Sequence, residues 1–369
     1  MSSNDGLESS PLGKVTAAEI RQQPELWPTT IERLASAGLD AFVQERKVIV
    51  CGAGTSAYAA SVVARGWSGA LAIPTTDLLL CTRLELARLA AGFDTNGLVL
   101  SLARSGDSPE STGVIHRLQQ LFPEVKHLAI TCNKSGQLAT LPGVRTIVLD
   151  PRTNDLGLAM TSSFSNLALA GLAVKNAPAL REGLPGIVAR VNRCLPNLEA
   201  TAMRLASATI SRVLVLTPPT MVPLAQEVSL KVLEMTGGRV VCMPETFLGV
   251  RHGPMSFLRS DSLVLCVLSS DHDKRPYELD LIHELQEKDL GTLVIVGPDG
   301  TPADLGNVVV PAMASEVADD LRTPFEIVFF QWLAYYLSLA FGLDPDNPSP
   351  SGIITRVVQR FRIHESKNR

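Results

Sequence analysis

Hydroxyl-bearing residues follow two apolar runs in the first half of the chain, and they could bind an anion. Thr55 and Ser56 come after "KVIVCG", and Ser105–Ser108, "SGDS", comes after "GLVLSL". Because Ser is a favoured N-cap and Pro109 is tolerated at the first helical position, a helix is predicted to begin at Ser108. Free N–H groups at a helix start attract anions, a phosphate above all. The predicted phosphate ligands are Gly54, Thr55, Ser56, Arg104, Ser105, Gly106 and Ser108.

A capped turn without a ligand is the alternative for either loop taken alone, since caps are commoner than sites. In the second half of the chain the corresponding loops read "LTPPTMVP" and "LSSDHDKRP". Prolines replace glycines in the first of these loops, and acids are added in the second. The second half is therefore predicted to have lost phosphate binding.

A dinucleotide site competes with the phosphate site at the first loop. Gly52, Gly54 and Ala57 fit the pattern G-x-G-x-x-A, with Asp77 some distance on as a possible ribose ligand. However, a second hydroxyl-rich loop follows the next strand, where a dinucleotide-binding domain has no phosphate to hold. We therefore predict a single phosphate ester as ligand and no cofactor.

Three charged residues share one face of a predicted helix in the second half. Glu227, Lys231 and Glu234 stand at i, i+4 and i+7, and Gly237 ends the helix. Spacing alone favours a solvated, salt-bridged face for them. Farther on, His252 lies in a loop bounded by Gly and Pro and is predicted to be exposed. Because histidine titrates near neutrality, it suits proton transfer.

Other acids and histidines raise the question of a metal site. Asp271–Asp273, "DHD", and His283 carry suitable ligand atoms. Nothing in their spacing fixes a coordination geometry, and a charged surface loop explains the first group equally well. No metal is predicted.

The elements that must position these residues repeat along the chain. Apolar runs separated by helical patterns predict four strands in each half, and the first three of each half begin about 165 residues apart. Strands without polar alternation, alternating with helices, indicate parallel sheets covered on both faces. The prediction is an α/β fold of two tandem doubly wound domains, in which ligands bind beyond the carboxyl ends of the strands. The predicted strands begin at Lys47, Gly97, Lys126 and Val144, and at Arg212, Ser262, Thr292 and Asn307.

The same pattern divides the chain into five segments. Residues 1–45 are predicted to form an N-terminal helical segment, opened by Thr16 and Glu19 in capping-box spacing. Residues 46–175 and 209–343 form the two domains. Residues 176–208 form a helical linker between them, and residues 344–369 form a C-terminal tail.

Composition limits the class of protein. The chain has 369 residues, of which 46% are hydrophobic and 19% charged, and a net charge of -4, so it is globular and has no basic surface for nucleic acid. Six scattered cysteines and an N-terminus without a signal pattern predict a reduced, cytoplasmic protein. The apolar stretch Ile327–Leu343 contains Gln331 and is predicted to be a buried helix, not a membrane span.

Together these residues resemble the sugar isomerase (SIS) family. The family's phosphate loop, S-x-S-G-x-[ST], reads here from Ala103 to Ser108, with Ala103 in place of the first Ser. "GAGTS", "LKVLE" and "RHGP" match its other segments. The layout looks like the isomerase half of glucosamine-6-phosphate synthase. Through "PTTDL", "RSGDSPES", "AMTSS" and "SPSG", the chain is more similar to the galactosamine-6-phosphate deaminase/isomerase group.

The resemblance implies an active site and a substrate. Glu234 corresponds to the base that moves a proton between C1 and C2, Lys231 to its helical neighbour, and His252 to the group that opens the sugar ring. In the family the His loop comes from the other subunit, which implies a homodimer with shared sites. The synthase forms an imine through a lysine of its tail, whereas this tail has Thr355 near that place.

The substrate's own nitrogen can form the imine, so deamination of an amino-sugar phosphate needs no such lysine. The resemblance therefore implies conversion of a 2-amino-2-deoxyhexose 6-phosphate to a ketose 6-phosphate and ammonia. Two alternatives stay open at this stage. One is isomerisation of an aldose and ketose phosphate without loss of nitrogen, and the other is a regulator that binds a sugar phosphate without catalysis.

Overall fold

The computed structural model describes residues 11–44, 46–349, 351 and 362–364. They group into two compact units, each built around one sheet. The first-sheet unit comprises residues 25–155 and 162–182 with the described tail residues 362–364, and the second-sheet unit comprises residues 11–24, 156–161 and 183–351 as far as they are described. The boundaries expected at residues 46, 176, 209 and 344 stay a prediction.

Strands and helices alternate along most of the chain. The strands are β1 (Lys47–Cys51), β2 (Ala70–Ala72), β3 (Gly97–Ala103), β4 (Lys126–Thr131), β5 (Val144–Val148), β6 (Arg212–Thr217), β7 (Val241–Thr246), β8 (Ser262–Val267), β9 (Thr292–Gly297) and β10 (Val308–Pro311). The α-helices are α1 (Lys14–Arg21), α2 (Gln23–Ala35), α3 (Asp40–Val43), α4 (Thr55–Gly66), α5 (Thr75–Leu80), α6 (Arg83–Leu89), α7 (Phe93–Asn96), α8 (Pro109–Leu121), α9 (Ser162–Leu205), α10 (Val222–Met235), α11 (Arg275–Glu287) and α12 (Asp319–Ala340). Helix α9 runs through most of the expected linker and is interrupted by non-helical backbone at Asn176.

The first sheet has the strand order β2-β1-β3-β4-β5, and all of its neighbouring strands are parallel. Every residue of β3 is buried, as an interior strand covered on both faces requires. The direction of the strand order reverses between β1 and β3. In such sheets this switch point is where ligands bind, beyond the carboxyl ends of the two strands.

The second sheet repeats the first. Its order is β10-β9-β8-β6-β7, the same as that of the first sheet when its five strands are counted from β6. Lys47 and Arg212, which open the first strands, are 165 residues apart, and so are Gly97 and Ser262 at the third strands. The predicted duplication and the doubly wound α/β fold are confirmed.

Two edge strands, β2 and β7, were not predicted from the sequence. Strand β2 has only three residues, and β7 contains Pro244, which cannot donate to a neighbouring strand. β2 is too short to be recognised as a strand, and Pro244 interrupts the apolar residues of β7. An edge position explains their composition, because one side of each strand has no partner.

An N-terminal helix precedes the first sheet as predicted, but the predicted capping box is wrong. Helix α1 begins at Lys14, two residues before Thr16. The amide of Thr16 donates to the Asp346 carboxylate at 2.7 Å, and Glu19 accepts from the amide of Leu156 at 2.5 Å. The helix start is thus capped by an acid 330 residues away, which no local spacing could indicate.

The predicted buried helix at the end of the second copy is confirmed as part of α12. Its polar Gln331 is fully buried and accepts a hydrogen bond from Gln23 at 2.7 Å while donating to the carbonyl of Thr161 at 3.1 Å. A buried amide therefore has partners for both of its ends. Within the described part of the chain, no helix has the length and apolar character needed to cross a membrane.

His127 in β4 makes the stability of the protein sensitive to acid. It is 3% exposed, and among the described residues neither ring nitrogen has a hydrogen-bond partner. Burial lowers the pKa of the imidazole from 6.5 to about 4. Between pH 6.5 and 4, His127 therefore binds a proton in the unfolded chain but stays neutral in the folded chain. Its contribution to the free energy of unfolding is full above pH 6.5 and falls as the pH drops toward 4.

We expect His127→Leu to remove this acid sensitivity. Relative to its value at pH 8, the free energy of unfolding of the native sequence at pH 5 should fall by about 2 kcal/mol more than that of the variant. Urea unfolding at both pH values measures the difference. His116→Gln, at an exposed position of α8, serves as the control. Equal pH dependence in His127→Leu and the native sequence would contradict the assignment.

Candidate active site

The loop that follows β1 turns directly into helix α4. A Cβ atom at Gly52 would lie 2.2 Å from the carbonyl oxygen of Ser56, and Gly54 has a φ of 56°. Glycine is therefore required at both positions. Thr55 opens the helix, and both Thr55 and Ser56 are buried at its N-terminus, where free amide groups favour an anion.

The loop that follows β3 is braced by the chain after β4. The Ser105 hydroxyl accepts a hydrogen bond from the amide of Asp107 at 3.3 Å, and Gly106 has a φ of 68°. The Asn133 side chain donates to the carbonyl of Ser105 at 3.0 Å, and the amide of Leu138 donates to that of Gly106 at 3.0 Å. These contacts fix the loop. Asn133 was not predicted, because its side chain contacts Ser105 and Asp107, which lie 28 and 26 positions away in the chain.

Helix α8 begins where it was predicted, with Ser108 as N-cap and Pro109 as first helical residue. The Ser108 hydroxyl donates to the Glu110 carboxylate and makes no capping bond to the backbone. Arg104 is buried. Strands β1 and β3 are parallel neighbours, so the loops that follow them lie side by side at the carboxyl ends of the strands. The predicted phosphate ligands therefore lie at the switch point of the first sheet.

In the corresponding loop of the second sheet, the donors of the loop bind a carboxylate of the chain itself, that of Asp319. The Ser269 hydroxyl accepts from the amide of Asp271 at 3.0 Å, the same turn as in the first-sheet loop. It also donates to the Asp319 carboxylate at 2.5 Å, and the amide and hydroxyl of Ser270 donate to this carboxylate at 2.9 Å each. These contacts give a physical basis for the predicted loss of phosphate binding in this copy.

A second carboxylate closes the same loop. Glu278 of α11 accepts from the amide of Ser269 through both oxygens, at 3.2 and 3.0 Å. Burial raises the pKa of Glu278 to about 7. Burial would also raise the pKa of Asp319, but hydrogen bonds from Ser269 and Ser270 and the charge of Arg322 outweigh it and hold that pKa at about 2.

The charged row on α10 lies on one face of the helix, but it is not the solvated face that spacing favoured. The Lys231 Nζ atom lies 3.4 Å from Glu227 Oε1 and donates a hydrogen bond to Glu234 Oε2. The side chains of Glu227 and Lys231 are fully buried, whereas 29% of the Glu234 side chain is exposed. The expectation of a solvated face was wrong, because α10 packs against β6, β7 and α12.

A buried ammonium ion requires nearby anions, since an isolated charge in the interior is very costly. Glu227 and Glu234 meet this need from either side of Lys231. Two members of the row are therefore buried, and the third, the Glu234 carboxylate, accepts a hydrogen bond from Lys231 and is partly exposed to solvent. Such a carboxylate can accept a proton from a bound molecule.

His252 is exposed, as predicted, at the end of a 3-10 turn that spans Gly249–His252. Its neighbour Arg251 donates to the Glu284 carboxylate at 2.8 Å, and Gly253 follows with a φ of 119°. The turn thus holds the imidazole at the surface of the second-sheet unit. Both Glu234 and His252 belong to that unit, and the loops after β1 and β3 belong to the other.

The acids and histidines that raised the question of a metal site do not form one in the described part of the chain. Among the described residues, no three His, Cys, Asp or Glu side chains come together as a metal-binding group. His272 and His283 line a cavity of about 500 Å³ with Arg275, and none of the predicted site residues lines it. Thr355, which stands near the place of the synthase lysine, lies outside the described residues.

Comparisons with known proteins found similar sequences and similar solved structures. No protein-family model matches the chain. Over 370 residues the chain is 34% identical to the D-galactosamine-6-phosphate deaminase AgaS of Shewanella sp. (strain ANA-3), covering 95% of this chain and 91% of that protein. It is 24% identical to the glutamine–fructose-6-phosphate aminotransferase (isomerizing) of Pseudomonas putida, covering 89% of this chain and 56% of that protein.

A solved structure, the tagatose-6-phosphate ketose/aldose isomerase from Escherichia coli, superposes with a TM-score of 0.78 at 27% identity. The superposition covers 90% of this chain and 95% of that one. The fold is therefore shared along most of both chains. Together with the near-complete match to the Shewanella protein, this shows that the chain belongs to the family of D-galactosamine-6-phosphate deaminases.

Proposed function

We propose that the protein converts a 2-amino-2-deoxyhexose 6-phosphate, D-galactosamine 6-phosphate first among them, to a ketose 6-phosphate and ammonia. The observation that carries this proposal is the row of Glu227, Lys231 and Glu234. In this row, Glu227 and Lys231 form a buried ion pair, and Lys231 also contacts the partly exposed carboxylate of Glu234. A protein that only sensed a sugar phosphate would have no use for a held base. The names of the related proteins support the same reaction.

The first-sheet loops are the proposed phosphate site. The second copy supplies an internal example, because there a carboxylate accepts from the hydroxyl of Ser269 and the amide of Ser270. In the first copy the equivalent groups are the hydroxyl of Ser105, which makes the same turn, and the amide of Gly106. Hydrogen bonds from these groups to a dianion would be charge-assisted and strong. Thr55 and Ser56 complete the site from the neighbouring strand.

Ser105→Ala tests the phosphate site. Loss of one charge-assisted hydrogen bond should raise KM for the phosphorylated amino sugar about 10- to 100-fold, with a smaller effect on kcat. Steady-state kinetics measure both constants. Ser135→Ala, at an exposed position beyond β4, is the control and should leave KM unchanged. An unaltered KM in Ser105→Ala would remove this loop from the site.

The proposed chemistry conserves every atom. His252 assists ring opening, and the Glu234 carboxylate then takes the proton from C2 of the open-chain aldosamine. O1 gains a proton as the enolamine forms. Delivery of the proton from Glu234 to C1 and loss of one N–H proton then leave an imine at C2. Water adds to that carbon, ammonia leaves, and a ketose 6-phosphate remains. Lys231 is assigned the positioning of Glu234, to which it donates a hydrogen bond.

The imine forms on the substrate's own nitrogen, so the chemistry requires no lysine from the tail, no metal and no cofactor. Simple isomerisation without loss of nitrogen would use the same base. Incubation with galactosamine 6-phosphate, glucosamine 6-phosphate and fructose 6-phosphate, followed by ammonia and ketose assays, separates the two reactions and identifies the preferred epimer.

We further propose that the protein acts as a homodimer in which His252 completes the site of the neighbouring subunit. His252 stands on an exposed turn, where a second copy can reach it. The structure describes all six cysteines, and none of them takes part in a disulfide bond, which fits action in the reducing cytoplasm.

Mixing inactive Glu234→Gln and His252→Ala chains tests the shared site. With random exchange, half of the dimers are mixed and each carries one intact site, so about a quarter of the native activity should return. Native mass spectrometry of chains of two distinct masses confirms exchange. If exchange is complete and activity stays at the level of the single variants, each chain holds its own histidine.

A further inference from the structure

The loop Ser269–Lys274 that follows β8 has the features of an anion-binding site that is already filled. Asp319 is 6% exposed, and three donors of the loop point at its carboxylate: the hydroxyl of Ser269 at 2.5 Å, and the amide and hydroxyl of Ser270 at 2.9 Å each. A backbone amide and side-chain hydroxyls grouped in this way are the donors by which loops at strand ends bind small anions.

Two cations complete the surroundings of this carboxylate. Arg322 is fully buried, and its Nη1 atom donates to Asp319 at 3.0 Å while its other nitrogens reach Glu326. The Lys274 Nζ atom lies 3.6 Å from Asp319. Arg322 and Lys274 therefore face the carboxylate from the helix that carries it and from the loop. Glu326 and Asp271 pair with the same two cations, so loss of the Asp319 carboxylate would leave these cations with one acid fewer.

The first copy shows a different arrangement. Asp155 precedes Asp319 by 164 residues, the same interval that separates Ser105 from Ser269. Its carboxylate accepts from the hydroxyl of Ser162 at 2.7 Å and from the amide of Ser163 at 2.8 Å. The acid at the same interval in the sequence is thus bonded to the start of α9.

We propose that the loop Ser269–Lys274 is an anion-binding site that the chain fills with its own Asp319. Two consequences follow. The second copy takes up no phosphate, and removal of the Asp319 carboxylate turns the loop into a site for a small free carboxylate. The proposal concerns only the second-sheet unit and does not depend on the proposed enzymatic activity.

Asp319→Ala with sodium formate as probe tests the site, because alanine plus formate replaces the atoms of aspartate. Equilibrium dialysis with labelled formate counts bound anions, and sodium chloride at the same ionic strength is the reference. We expect one more formate per chain in the variant than in the native sequence. Saturating formate should also raise the Tm of the variant by about 5 °C over the chloride reference, with no such rise in the native protein.

Asp319→Asn is the matched control, since its amide oxygen can still accept from Ser270 while filling the space. It should bind no additional formate. If Asp319→Ala does not stay folded in chloride, its yield on refolding from urea should recover in formate. Equal formate binding by the alanine variant and the native protein would overturn the proposal, as would a refolding yield that formate does not change. A failure of the first-copy phosphate site affects both proteins alike and leaves their difference intact.

Discussion

Glu234→Gln is expected to lower the turnover of a 2-amino-2-deoxyhexose 6-phosphate by about 10²- to 10⁴-fold, because the amide keeps the shape of the carboxylate but cannot accept the proton. KM should change little, since the phosphate is bound by other residues. Glu287→Gln, at an exposed position of α11, provides the matched control and should retain native turnover.

Full turnover in Glu234→Gln would make the base assignment wrong. Glu227 would then be the next candidate, because it lies on the same face of α10. However, its side chain is fully buried. A bound sugar could reach it only after movement of the helix, so Glu234 is the better placed of the two carboxylates.

Lys231→Met is expected to produce the largest loss of stability. The change removes a buried ammonium ion from between two carboxylates, one of which is the fully buried Glu227. Breaking a buried ion pair in this way lowers the free energy of unfolding by about 3 to 5 kcal/mol. Urea denaturation measures the loss. Lys288→Met breaks a half-exposed pair with Glu284 and should cost no more than about 1 kcal/mol.

A double variant separates the two roles of Lys231. Glu227→Gln with Lys231→Met removes both buried charges, so a large part of the lost stability should return. Turnover should stay low, since Glu234 still lacks the ammonium ion that positions it. A double variant with native turnover would show that Lys231 serves only the fold, and a single variant as stable as Lys288→Met would contradict the cost of its burial.

The repeated fold was predictable because its signal is distributed along the chain. Eight strands are rich in apolar residues, and their spacing recurs in both halves, so no single residue decides the pattern. The loops after β1 and β3 were predicted as candidate phosphate loops for a related reason. Gly54 and Gly106 have positive φ, and the hydroxyls beside them are local features of strand ends. Short edge strands such as β2 and β7 carry no comparable signal.

The wrong predictions share a physical cause. In each case, contacts between residues far apart in the sequence determine the structure, and local spacing does not show them. Thr16 and Glu19 have capping-box spacing, yet Asp346 provides the cap for α1. The row on α10 has the spacing of a surface ion-pair ladder, and only the packing of that helix shows that Lys231 is buried. Likewise, the bond between Ser269 and Asp319 joins residues 50 positions apart.

Release of nitrogen from a phosphorylated amino sugar is the central claim, and one experiment in D₂O tests it most directly. D-Galactosamine 6-phosphate is incubated with the native protein, ammonia is assayed enzymatically, and the sugar is followed by NMR. We predict one ammonia for each ketose 6-phosphate formed, with deuterium at C1 of the ketose in proportion to the exchange of the proton on Glu234 with solvent. Consumption of the amino sugar without ammonia, or no consumption by folded protein at saturating substrate, would contradict the claim.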